Sequence, residues 1–332
     1  MEDFRIGILG AGHIAEKMAR TVAAMDGVQI YAVASRSMEK ASEFAGRFGI
    51  GKAYGSYEDM VSDPMVEMVY VATPHSFHFP HVRLCLEHGR HVLCEKSFML
   101  NAREAESVIA LAREKKLFLA EAIWTRYQPA RRILNEIIES GEIGRPQFLT
   151  AHLGYPLCHK ERVWKAGLGG GVLLDIGVYC LNFAVMNFGR DIAEITTDCV
   201  KNEEGVDVSE TIVLKYSDGR MATLTATMLA ANYRQGLILC DNGSVLTHNI
   251  NNPLGFEIYS RDQKLVRTVD APRQNSGFEY EVQECIDSIR AGLLEPPSMP
   301  HEETLFMMRL MDRLREQWGV RFPGESENQL ED

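Results

Sequence analysis

Three side chains in this sequence have chemistry suited to moving a proton: Lys96, Asp175 and Tyr179. Asp175 lies in Gly169-Gly170-Gly171-Val172-Leu173-Leu174-Asp175-Ile176-Gly177-Val178-Tyr179-Cys180-Leu181-Asn182-Phe183, an otherwise apolar stretch with a helical pattern. Burying a carboxylate there without a partner would cost several kcal/mol. A spacing of four residues puts Asp175 and Tyr179 on one helix face. That pairing suits proton transfer. A buried Asp that caps nearby backbone is the other reading of Asp175, and the stretch alone does not choose between them. Free Tyr titrates near 10. A lysine ammonium about 4 Å from the phenol contributes up to about 4 kcal/mol at an effective dielectric near 20, or about three pKa units as an upper bound. Tyr179 then becomes a general base near pH 7–8, matched to removing a hydroxyl proton as hydride leaves an alcohol carbon. Lys96 is the tuning charge. Asp175 orients Lys96 or binds a substrate hydroxyl.

The elements that would position these groups begin with residues 4–9, a short apolar run that leads into Gly10-Ala11-Gly12-His13-Ile14-Ala15 and then a helical pattern. This is the G-x-G-x-x-A form of the dinucleotide fingerprint, in the strand–turn–helix context it requires. Gly10 permits the tight turn, Gly12 lets a pyrophosphate approach the helix N-terminus, and Ala15 keeps helix and strand close. Further apolar runs at 28–35, 68–72, 91–94 and 117–120 alternate with helical segments near 76–88 and 102–116, which indicates a parallel sheet covered on both faces. Asn101-Ala102-Arg103-Glu104 reads as a capping box opening the later helix. Lys96 follows the fifth strand, and strand C-termini face the ligand crevice in such a sheet.

The cofactor residues expected on this pattern are Gly10, Gly12, His13, Ile14, Ser35, Arg36, Ser37, Thr73, Pro74, His75, His78, Glu95 and Lys96. The second strand ends in Ala34-Ser35-Arg36-Ser37, without the Asp or Glu that an NAD site usually places there. Arg36 offers a guanidinium for a 2′-phosphate. One such contact is worth roughly 10- to 150-fold. The expected cofactor is therefore NADP(H), with NAD(H) the alternative. His75 and His78 are expected to border the nicotinamide. With His81 they do not form a metal site, because residues 75 and 81 are about 240° apart on a helix and no carboxylate or Cys completes the spacing.

After about residue 145 the pattern becomes alternating apolar and polar. Ser217-Asp218-Gly219-Arg220 and Asp241-Asn242-Gly243 are hairpin signals. Helical segments near 277–291 and 302–318 follow, and the tail from Pro323 is polar and acidic and is expected to fray. A chain of 332 residues fits two domains. We expect an N-terminal Rossmann doubly wound parallel sheet over 1–122 and an α/β domain with a large open, mostly antiparallel sheet over 123–332, leaving open that the C-terminal helices pack back on the first domain. The net charge of -11 argues against a nucleic-acid partner. Seven cysteines without a C-x-x-C pair fit a reducing cytoplasm better than a disulfide or zinc framework. Neither a secretory signal nor an apolar run of about 20 residues is apparent, so a membrane partner is not expected.

The fingerprint at Gly10, Ala72-Thr73-Pro74-His75-x-x-His78, Glu95-Lys96 and Gly170-Gly171-x-x-x-Asp175-x-Gly177-x-Tyr179 together resemble the glucose–fructose oxidoreductase/inositol dehydrogenase (Gfo/Idh/MocA) family over nearly the whole chain. Within it, Glu121-Ala122-Ile123-Trp124-Thr125-Arg126 and Tyr179 are similar to the dimeric dihydrodiol dehydrogenase and NADP-dependent D-xylose dehydrogenase group. The resemblance implies Lys96, Asp175 and Tyr179 as the catalytic set, with Tyr179 the acid/base. It also implies a homodimer or homotetramer through the open sheet. Two departures stand out. Ser97 replaces the usual proline after Glu-Lys, which would loosen the loop, and His75 stands where Asn is common. Trp124, Arg126, Tyr155 and Trp164 are expected to join Asp175 and Tyr179 around a small polyol, aldose or trans-dihydrodiol, although ordinary core packing explains the aromatics equally well and Arg126 could simply pin its loop. Arg162-Val163-Trp164 resembles a family segment near the cofactor. The expected activity is NADP(H)-dependent oxidation of a secondary alcohol or hemiacetal carbon. The alternatives are a reductase of ketone or dicarbonyl sugars and a non-catalytic NADP(H)-binding regulator. Retention of Lys96, Asp175 and Tyr179 argues against the regulator.

Overall fold

A computed structural model describes residues 3–325. Most of the expected acidic tail, residues 326–332, lies outside them. The chain forms two compact units, one made of residues through Tyr127 plus Gln274–Met308, the other of Gln128–Arg273 and the residues from Arg309 onward.

The first unit contains β1 (Phe4–Leu9), α1 (His13–Val22), β2 (Val28–Ala34), α2 (Met38–Phe48), β3 (Lys52–Tyr54) and α3 (Tyr57–Ser62). It continues with β4 (Met68–Val71), α4 (His78–Glu87), β5 (His91–Glu95), α5 (Ala102–Lys115) and β6 (Leu119–Ala122). All six strands are parallel, in the order β3-β2-β1-β4-β5-β6. The order reverses between β1 and β4, so the loops after Leu9 and Val71 flank the crevice where such sheets bind ligands. The strands are near-continuous buried apolar runs, as both-face coverage requires. α1 buries Ala15, Met18, Ala19 and Val22 at helical spacing. The capping box forms: Asn101 Oδ1 accepts the Glu104 amide at 2.9 Å, and Glu104 accepts the Leu100 amide at 3.1 Å.

The second unit contains α6 (Pro129–Glu139), β7 (Pro146–Gly154), α7 (Glu161–Trp164), α8 (Val178–Phe188), β8 (Ile192–Lys201), β9 (Asp207–Tyr216) and β10 (Met221–Thr227). β11 (Gly236–Cys240), β12 (Gly243–Thr247), β13 (Gly255–Ser260) and β14 (Leu265–Asp270) complete an eight-stranded sheet ordered β14-β13-β12-β11-β7-β10-β9-β8. Only β7 and β10 pair in parallel. Both predicted hairpins form, at the β9–β10 and β11–β12 connections. α8 lies against β7 and β10. Of the last two helices, α9 (Glu279–Arg290) belongs to the first unit, and α10 (His301–Trp318) supplies residues to both.

Two sequence expectations are corrected. The stretch around Asp175 is not one regular α-helix, because Leu173–Gly177 winds as a π turn before α8 begins. And Ala166–Phe188 is long and apolar enough, with a mean hydropathy of 1.6, to pass for a membrane span, although no such run had been expected. Ninety-four per cent of that window is buried inside the protein. Its apolarity is therefore used in packing the second unit's core.

Arg315 on α10 is fully buried and closes the second unit. Its guanidinium meets Glu325 at 2.9 Å and Asp312 at 2.9 Å and lies 4.6 Å from the centre of the Phe322 ring. Removing one partner of a buried ion pair costs about 3–5 kcal/mol because the other charges stay buried. Arg315→Ala should lower unfolding free energy in urea by that order; a loss below about 1 kcal/mol, within the range of an exposed pair, would contradict this account of the clamp.

Candidate active site

In the first unit, the crevice loops are shaped by backbone. Gly10 has φ +105°, and a methyl group there would meet the Ala72 carbonyl oxygen at 3.0 Å. Only glycine suits both conditions. Gly12 begins α1 with no side-chain cap, and a Cβ there would face open space. This is the cradle a pyrophosphate needs, with helix amides directed into it. His13 is exposed and Ile14 half-buried at the same helix start. Beyond β2, Ser35 is buried and its amide donates to the Tyr54 carbonyl at 3.1 Å, while Ser37 caps α2 through the Lys40 amide. Arg36 is exposed, with its guanidinium 5.9 Å from the Phe77 ring centre.

Thr73 and Pro74 lead from β4 into a short helical turn, His75–Phe77. The Thr73 hydroxyl bonds His81 Nδ1 at 3.0 Å, and burial, then His78 and Arg36, bring His81 down to about 4. His75 is buried edge-on against His78. His78 is fully buried, and its ring faces three main-chain carbonyls: Thr73 at 2.8 Å from Nε2, Ser97 at 2.9 Å and Phe98 at 3.2 Å from Nδ1. Its ring nitrogens thereby tie the loop after β4 to the loop after Lys96. Ser97 is fully buried and its carbonyl faces His78, so the loop without the proline is supported by this contact.

Glu95 ends β5, accepts the Tyr70 hydroxyl and accepts the Lys96 amide at 3.2 Å. Trp124 stacks on Phe278 with ring centres 4.4 Å apart. Arg126, 2% exposed, is ion-paired with Glu303 at 2.9 Å.

In the second unit, Asp175 is 3% exposed and meets Arg162 of α7 in a two-pronged pair, Nη1–Oδ1 2.6 Å and Nη2–Oδ2 3.5 Å. Arg162 itself remains partly open to solvent. The triple glycine brings α7 and the π turn together: the Gly171 amide donates to the Val163 carbonyl at 2.9 Å, and a Cβ at Gly170 would meet that same oxygen at 2.7 Å. Tyr179 is buried at the start of α8, four residues after Asp175. Tyr155 is half-buried, its hydroxyl accepting from Asn251 at 3.3 Å and its ring 5.4 Å from the Arg234 guanidinium carbon. Trp164 donates its indole N–H to Glu203 at 2.8 Å beside the β8–β9 turn.

Sequence reasoning missed Arg162 as the partner of Asp175, and it missed Asp207 and Glu210, two buried carboxyls of β9 that face the π turn. An acidic residue at an inward position of an alternating strand is the available signal for Glu210, whereas Asp207, at the start of the strand, lies outside that alternation.

A parallel sheet whose first strand leads through Gly10 and Gly12 into a helix is the Rossmann unit on which a class of oxidoreductases is built. Residues 4–122 match the model of the oxidoreductase family with an NAD-binding Rossmann fold, and residues 132–246 match its C-terminal domain. The chain belongs to this family, Gfo/Idh/MocA. It is 32% identical to trans-1,2-dihydrobenzene-1,2-diol dehydrogenase of Xenopus tropicalis over 96% of this chain and 98% of that one. It is 34% identical to the Homo sapiens enzyme of the same name over 89% and 90%. Among solved structures, a 3-ketoreductase from Actinomadura kijaniata in complex with NADP and TDP-benzene superposes with TM-score 0.87 at 25% identity, covering 95% of this chain and 98% of the other. Levoglucosan dehydrogenase shares the fold, with TM-score 0.84 at 19% identity over 96% and 97%.

The first unit also buries Glu121 on β6, beside Cys94 of β5. Burial pushes its carboxyl up to about 7, against the opposing pull of Thr304 and Arg126. An unfolded Glu titrates near 4.3. The folded chain thus holds the extra proton, and the associated stability is full below about pH 4.3 and is lost as pH rises through about 7. Glu121→Gln should flatten the fall in unfolding temperature across that window relative to the wild type; identical slopes would remove Glu121 as a source.

Proposed function

We propose that this protein is an NADP(H)-dependent dehydrogenase that moves hydride between the nicotinamide and a secondary alcohol or hemiacetal carbon of a trans-dihydrodiol, small polyol or aldose. The observation that carries the reading is the Arg162–Asp175 pair four residues before the buried Tyr179. A carboxylate and a phenol held in this way are proton-handling groups, and a protein that only sensed its cofactor would need neither. Relatives named as dihydrodiol dehydrogenases support a diol, and the 3-ketoreductase complex supports NADP. The same complex also favours, as a second reading, reduction of a keto sugar on this scaffold.

When bound, NADP(H) supplies or accepts the hydride at nicotinamide C4. Gly10, Gly12, His13 and Ile14 would take the pyrophosphate, Ser35, Arg36 and Ser37 the adenosine end, and Thr73, Pro74, His75, Glu95 and Lys96 the nicotinamide half. In the oxidative direction Tyr179 accepts the substrate hydroxyl proton, Lys96 favours the phenolate by its charge, and Asp175 holds the pair or a substrate hydroxyl. Trp124, Tyr155 and Trp164 offer aromatic faces to the substrate. We assign cofactor binding to residues 1–122, and substrate binding and self-association, as a homodimer or homotetramer through the open sheet, to residues 123–332.

Arg36 is exposed on a strand end with no acidic residue beside it, which is the basis for the NADP assignment. Arg36→Ala should reduce the ratio of kcat/KM for NADP over NAD by roughly 10- to 150-fold, and an unchanged ratio would end the assignment. Tyr179→Phe should lower kcat at least about 100-fold with NADPH affinity, read by fluorescence titration, little changed. Near-normal turnover would remove Tyr179 from the chemistry.

A further inference from the structure

The π turn that carries Asp175 is held by two carboxyl groups that the proposed chemistry leaves without a task. Asp207 opens β9, and its Oδ2 accepts the Leu173 amide at 2.6 Å. Glu210 follows three residues on. The inward face of β9 reads Val208, Glu210, Ile212, Leu214 and Tyr216, all buried, so Glu210 occupies a place where the pattern calls for an apolar residue. Both carboxyls reach glycines that border the turn. A methyl group at Gly171, where φ is +118°, would overlap Asp207 Oδ1, and one at Gly177 would overlap Glu210 Oε1. Two glycines of the motif are therefore needed because carboxyl oxygens fill the space of their missing side chains.

The two groups differ in their partners. Burial brings Asp207 up to about 6, against the opposing pull of the Leu173 amide and Arg315. Glu210 is 4% exposed, and its Oε2 has no hydrogen-bond partner among the described residues. A carboxylate so placed would be far costlier than a carboxylic acid. Burial, and then Asp207, hold its pKa well above the ordinary range.

We propose that Asp207 and Glu210 are positioning residues: from β9 they lock the π turn, and through it Asp175 and Tyr179, Asp207 by accepting the Leu173 amide and Glu210 by filling the space at Gly177 as an uncharged acid. The proposal rests on the catalytic reading of Asp175 and Tyr179 above. Buried with no hydrogen-bond partner for Oε2 among the described residues, Glu210 fills that space as the uncharged acid.

The test compares Asp207→Asn, Glu210→Ala, Glu210→Gln and Tyr179→Phe in the full-length protein. Turnover is followed with NADP and the best-used member of a diol and aldose panel, cofactor affinity by NADPH fluorescence, and the Leu173 amide by native-state hydrogen exchange. Asp207→Asn should lower kcat at least about tenfold, since small misplacements of reacting groups cost up to about a hundredfold. It should leave NADPH affinity unchanged and speed exchange at Leu173. Glu210→Ala should lose activity similarly, and Glu210→Gln, of like shape and uncharged, should recover most of it. Wild-type turnover and wild-type exchange at Leu173 in Asp207→Asn would overturn the proposal. Glu210→Gln as impaired as Glu210→Ala would overturn the uncharged acid. Normal turnover in Tyr179→Phe together with faster Leu173 exchange in Asp207→Asn would remove the catalytic reading and leave the holding of the turn standing.

Discussion

The cost of taking a carboxylate out of water governs the second unit. Asp175 sits in one of the most apolar segments of the chain, and its burial is tolerated because Arg162 meets it with two nitrogens. That pairing requires α7 to fold back onto the turn, which the Gly169–Gly171 run permits by letting main chain approach main chain. The π winding at Leu173–Gly177 then presents Asp175 three residues ahead of regular helix, a local geometry that occurs frequently at functional sites. Each of these features looks arbitrary alone, and each follows once the carboxylate must be buried and still be met by Arg162.

The first unit solves a different problem with the same economy of side chains. A dinucleotide carries charge that backbone amides and helix starts can receive, so the loops need shape more than chemistry. Gly10 is shaped by the nearby Ala72 carbonyl, and Gly12 leaves its outer face open. His78 then fixes two of the crevice loops to each other through carbonyl oxygens. The loop that bears Lys96 is supported by this buried ring, so a serine in place of the family's proline leaves the lysine on an anchored segment.

Much of this was legible in the sequence because it is periodic or punctuated. The doubly wound sheet, the fingerprint, the Asn101 cap and both hairpins each have a local signature. Less legible were features whose cause is distant in the chain. β3, β7, β8, β13 and β14 go unread; of these, the edge strand β14 lacks a clear apolar alternation. The π turn was invisible because its apolar spacing mimics an ordinary helix. Arg162 pairs with a residue 13 positions away, and Asp207 and Glu210 act on glycines more than 30 positions earlier, so neither relation leaves a pattern in a short window. The protein partners of His78 and Arg126 are likewise set by tertiary structure: three loop carbonyls for the first and Glu303 for the second.

The central proposal is that Tyr179 is the acid/base for the substrate hydroxyl and Lys96 the charge that favours its phenolate. A crystal structure of the protein with NADP and a slowly turned-over diol tests it most directly. The account predicts the Tyr179 hydroxyl and the Lys96 ammonium within hydrogen-bonding distance of each other, with the phenol oxygen touching the hydroxyl on the carbon that faces nicotinamide C4. A complex in which either group points away from that carbon, or in which another side chain contacts its hydroxyl instead, would contradict it.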